Sequence, residues 1–162
     1  MTTALIRKHI VEAQLQFALE ANIIAAKQAA ASAREDAVHE QSVAETQYDS
    51  LAIESAYLAH GHSERCDAAS RHLSEFNALF GKPCQTIQPG ALFALVNEQD
   101  ERHYYYLGPH EGGLKVFVAG TAVVVITLAS PLGMRLQGLM ADDEVVFEHA
   151  GRSQTLTVEF VC

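Results

Sequence analysis

No glycine occurs before Gly61 and no proline before Pro83. Both residues disfavour helix interiors, glycine through its backbone entropy and proline through its missing N–H. Sixty residues without either, rich in alanine, glutamate and glutamine, predict long helices in the first half of the chain. The other nine glycines and all four prolines lie at or after Gly81. The chain therefore divides into two materials near that residue.

Other absences narrow the function. No apolar run approaches the roughly 18 residues of a membrane span. The opening Met1-Thr2-Thr3-Ala4-Leu5-Ile6-Arg7-Lys8 has no apolar signal-peptide core, so a cytoplasmic protein is expected. There is no basic excess. The net charge of −9 argues against a primary nucleic-acid binder. Cys66, Cys84 and Cys162 form no C-x-x-C pair and read as free thiols of a reducing compartment. At 162 residues the chain holds one ordinary domain, or a small domain with a helical extension.

What is present in the first half is a seven-residue repeat. Ile10, Phe17, Ile24, Ala31 and Val38 form one series; Ala52, Ala59, Cys66, Leu73 and Phe80 form another, with Ala69 and Phe76 beside it. Two such stripes predict two helices, near residues 4–38 and 43–79, packed as an antiparallel coiled-coil hairpin with Phe17, Ile24, Leu73 and Phe76 in or near its seam. A run of ~35 residues makes a rod about 50 Å long. His39-Glu40-Gln41-Ser42 is the expected turn, with Ser42 and Glu45 as a capping box. A single continuous helix that dimerises is the alternative. Residues 35–64 carry seven acids and no lysine or arginine. The hairpin would place Asp36, Glu40, Glu45 and Asp49 at or beside its turn. Such a tip either is simply solvated, or enters a positive channel, or offers carboxylates to magnesium. His60 and His62 are two residues apart, about 200° around a helix, and read as flanking a tolerated glycine rather than sharing a metal.

After Gly81-Lys82-Pro83 the pattern becomes β-branched with period two. Strands are expected at 91–96 and 102–107 around a polar turn, then at 121–128, around Val145 and Phe147, and through Leu156, Val158 and Phe160. Pro131 suits the first turn of a short helix over 132–139. The alternation in Tyr104-Tyr105-Tyr106 puts the middle ring opposite its neighbours. No Ser/His/Asp or Cys/His constellation and no phosphate loop stands out. The expected organisation is an α+β chain: a hairpin over 1–80, a linker over 81–90, and a small antiparallel β domain with one short helix over 91–162.

Gly108-Pro109 with Glu111, Ile126-Thr127 leading into Ser130-Pro131-Leu132-Gly133, then Leu136, Gly138 and Asp143-Glu144-Val145, resemble the C-terminal domain of the bacterial GreA/GreB transcript-cleavage factors. The resemblance covers about residues 90–161, and the order of parts is also similar, with helices first and an FKBP-like β domain second. It implies a cytoplasmic, monomeric transcription elongation factor that binds RNA polymerase, with no membrane role and no intrinsic cofactor. The β domain would dock at the rim of the secondary channel through the Ser130, Pro131, Leu132 and Gly133 loop. The hairpin tip would reach the active site, share its magnesium, and approach the nascent RNA indirectly. The factor would not be an enzyme itself but would stimulate the polymerase's own nuclease. Family members carry Ala-Arg-Glu-x-Gly-Asp-x-x-Glu-Asn at the tip. Here Ala33-Arg34-Glu35 begins the motif, but Val38 and Gln41 stand where its two acids belong. Glu40 and Glu45 are the acids that would replace them as metal ligands, with Asp36 and Asp49 as further binding residues. A non-cleaving regulator of the same channel is the alternative. A peptidyl-prolyl isomerase lacks a legible aromatic pocket, and a coiled-coil oligomer with a β cap would leave the acids incidental.

Overall fold

A computed structural model describes residues 6–43 and 49–162. The chain is α+β: helices α1 (Lys8–Val43) and α2 (Asp49–Asn77), then strands β1 (Leu92–Val96), β2 (Arg102–Leu107), β3 (Lys115–Val118) and β4 (Thr121–Ile126), helix α3 (Pro131–Leu136), and strands β5 (Glu144–His149) and β6 (Arg152–Val161). Two compact units result, one of Met1–Gln16 with Glu75–Cys162 and the other of Phe17–Ser74.

In the first unit the six strands form one sheet in the order β3-β4-β2-β1-β6-β5. It is antiparallel at every pairing except β2 with β4, which run parallel from Tyr104↔Val123 to Leu107↔Ile126. The sequence reading missed β3, a four-residue strand that turns back at Ala119 and Gly120 to pair with β4. That hairpin lets the chain return to β2 in the parallel sense. The polar turn after β1 is held by Asn97, whose Oδ1 accepts from the backbone N–H of Gln99 and Glu101 at 3.0 and 2.9 Å.

Both faces of the sheet are covered. On one, Phe93, Leu95, Leu107, Leu156 and Val158 pack with Ile87 and with Leu136 of α3, and Tyr105 lies against Phe93 with ring centroids 5.8 Å apart. On the other, Tyr106 is fully buried between Phe76 and Phe80, at 6.3 and 6.4 Å. The alternation expected of the three tyrosines is thus observed. The 81–90 segment is tied in by Ile87, which exchanges backbone hydrogen bonds with Leu139 and Gly138, both at 2.8 Å.

The second unit consists of the remaining parts of α1 and α2. Here the helix boundaries differ from expectation. His39-Glu40-Gln41-Ser42 does not break the helix, since α1 runs to Val43. Ser42 is therefore inside α1 rather than capping a new helix, and Glu40 sits in the last turns of α1 rather than in a loop. Glutamate and glutamine are good helix formers, and serine costs only a few tenths of a kcal/mol. The buried line of α1 also differs from the expected one. Phe17 and Ile24 are 72% and 56% exposed, whereas Leu15 and Leu19 are buried. With alanine at so many positions, several seven-residue lines can be drawn, and the one with the largest side chains is not the one buried. On α2, Ala59, Cys66, Ala69 and Leu73 are half-buried, and Phe76, which belongs with the first unit, is fully buried. Gly61 continues α2 with open space where a side chain would be.

Candidate functional site

Two regions carry the candidate residues, one in each unit. In the helical unit, Asp36 is exposed on α1 and Glu40 follows one turn later along the same helix. Asp49 is the first residue of α2. Glu45 lies outside the described residues. Glu35 and Glu54 are exposed, and Glu64 pairs with His60 at 3.2 Å. Among the described residues no three His, Cys, Asp or Glu side chains gather as a metal site.

In the β unit, Ser130-Pro131-Leu132-Gly133 opens α3. Ser130 is the N-cap: its Oγ accepts from the Gly133 N–H at 3.0 Å and donates to the Thr127 carbonyl at 2.8 Å. Pro131 takes the first helical position, where its missing N–H is no loss. Gly133 is forced by space, because a Cβ there would lie 2.0 Å from the Thr127 carbonyl oxygen. Leu132 packs half-buried against the core. Of the four, Pro131 is the one most open to solvent, and Met134 beside it is 62% exposed. Arg135 donates to the Val146 carbonyl at 3.1 Å, fixing α3 to the outer strand β5.

No protein-family model and no curated protein matches the chain. Among solved structures, it is similar to Gfh1 of Thermus aquaticus (15% identity, 88% of this chain and 90% of that one, TM-score 0.40). It is also similar to GreA factor homolog 1 (Gfh1) of Thermus thermophilus, with 15% identity over 91% and 94% of the two chains and a TM-score of 0.38. A third is the prokaryotic transcription elongation factor GreA/GreB from Nitrosomonas europaea, with 18% identity over 58% and 78% and a TM-score of 0.37. Likenesses of this size do not assign a family.

One polar group escaped the sequence reading. Glu12, in the second turn of α1, is buried, and its carboxylate accepts from the Tyr106 hydroxyl at 3.2 Å and the Gly81 N–H at 3.0 Å. Burial first, and then the Glu12 charge, push the Tyr106 hydroxyl well above the ordinary tyrosine range. These partners are 94 and 69 residues from Glu12, so no local spacing could reveal them. An acid inside an apolar line was the only available signal.

Proposed function

We propose that the chain is a cytoplasmic, monomeric, Gre-like accessory factor of RNA polymerase, whose acid-rich helical segment acts within the secondary channel. The supporting observation is the Ser130–Gly133 corner. Ser130, Pro131 and Gly133, one portion of the sequence resemblance, build a capped helix start with a close backbone approach. The acid-rich stretch of sequence from Glu35 to Glu54 supplies the second part of the reading.

In this reading the chain has no catalytic activity of its own. Magnesium belongs to the polymerase and activates a water when bound there. This chain adds carboxylate oxygens from Glu40 and Glu45, with Asp36 and Asp49 nearby in sequence. A non-cleaving version is favoured by a specific observation: Val38, which stands at one of the family's acidic positions, is a 65% exposed hydrophobe. The two versions separate in one assay on a backtracked elongation complex with magnesium. Stimulated cleavage of the RNA 3′ end, lost in Glu40→Ala/Glu45→Ala while polymerase binding persists, supports the cleaving factor. Binding without cleavage supports the channel regulator. No binding to polymerase overturns both.

A further inference from the structure

We propose that Cys84 and Cys162 are a peroxide-responsive thiol pair that closes to a disulfide across a pocket at the start of α1. The pocket has a volume of about 410 Å³, lies within the β unit, and is lined by Lys8, His9, Glu12, Cys84, Cys162 and the 81–83 turn. Cys84 is buried and Cys162 half-buried, and both thiols are free. Lys8 Nζ lies 3.7 Å from Cys84 Sγ. Burial pushes the Cys162 thiol up, the Lys8 ammonium pulls it down, and Cys84 adds to the rise. Lys8, Cys84 and Cys162 thus line one pocket together. The backbone of Cys162 is fixed by paired hydrogen bonds with Leu92, both at 2.9 Å.

The surroundings suit oxidation better than metal binding. Lys8 places a positive charge beside the Cys84 sulfur, which repels a cation but accommodates a thiolate. The Glu12 carboxylate already accepts from Gly81 and Tyr106. Cys66 belongs to the other unit and does not line the pocket.

The reaction needs a hydroperoxide as oxidant. The Cys84 thiolate attacks one peroxide oxygen, forming S–O and breaking O–O; the leaving oxygen takes a proton and departs as water or an alcohol. The Cys162 thiolate then attacks the sulfenic sulfur, forming S–S as S–O breaks; the hydroxide released takes a proton and departs as water. Two thiols lose two electrons, and the peroxide gains them.

Trypsin places each cysteine in its own peptide, 66–71, 72–102 and 153–162, because the Lys82–Pro83 bond resists cleavage. The whole folded chain is treated with hydrogen peroxide, alkylated with iodoacetamide, digested and weighed. The expected product is 72–102 joined to 153–162, from protein that runs as a monomer without reductant. Dithiothreitol should reverse it, and 66–71 should be recovered alkylated. Cys66→Ser should give the same link. Cys162→Ser, which leaves the buried sulfur in place, should abolish it and leave Cys84 as sulfenic or sulfinic acid. Recovery of both peptides alkylated, over-oxidation without a link, or a link only between molecules or only in denaturant, overturns the proposal.

Discussion

Tyr106 and Glu12 form a polar contact inside an apolar setting, and its behaviour with pH follows from burial. The folded chain holds the Tyr106 proton more tightly than the unfolded chain, in which tyrosine titrates near 10.0. Above that pH the unfolded state binds fewer protons, so stability falls as pH rises; below it the contribution is fully present. Tyr105, also shifted upward by burial, adds a slope of the same sign. Melting temperatures measured from pH 8 to 11 should therefore decline, and Tyr106→Phe should make the decline shallower. At neutral pH the same variant should cost about 1 kcal/mol, since the buried carboxylate loses one donor. An unchanged alkaline slope would mean that Tyr106 is not protected in the folded chain.

Among the elements, α3 and α1 yield the clearest contrasts. Ser130→Ala removes an N-cap and should cost about 1 kcal/mol. Gly133→Ala drives a methyl into the Thr127 carbonyl, and overpacking of this kind costs about 1–3 kcal/mol or more. Denaturant titration should rank them in that order. The register of α1 is tested by a pair. Leu19→Ala should cost about 2–5 kcal/mol, and Phe17→Ala, at an exposed position, about 0.5 kcal/mol or less. The reverse ranking would restore the line through Phe17 and Ile24. The strands were legible wherever β-branched residues alternate or run together, as in Val123, Val124 and Val125. Helix α3 was legible from Pro131. Strand β3 was not, because its four residues lie between turn residues and carry a charged Lys115. The end of α1 was not, because nothing between Glu35 and Val43 contradicts a helix.

For the molecule as a whole, the two materials read from the distribution of glycine and proline correspond to real differences in structure, although the compact units do not follow the chain order. The first turns of α1 belong with the sheet, through Glu12, Gly81 and Tyr106. Contacts between residues so far apart leave no periodic trace, which is why the pocket of Lys8, Cys84 and Cys162 was invisible in the sequence. The strand order also governs how the chain can be made. β1 lies between β2 and β6, and Phe93 faces Val161 while Ala94 faces Phe160. During synthesis β1 therefore waits, with one edge unsatisfied, while more than sixty further residues are added. An open apolar edge of that kind recruits other strands. A chain stopped after residue 150 should precipitate or lack a cooperative melt, whereas the sheet of the full chain should melt in one step. The centre of this sheet is among the first of its strands to be translated and the last to be completed, so a nascent chain gains its β fold only when β6 emerges.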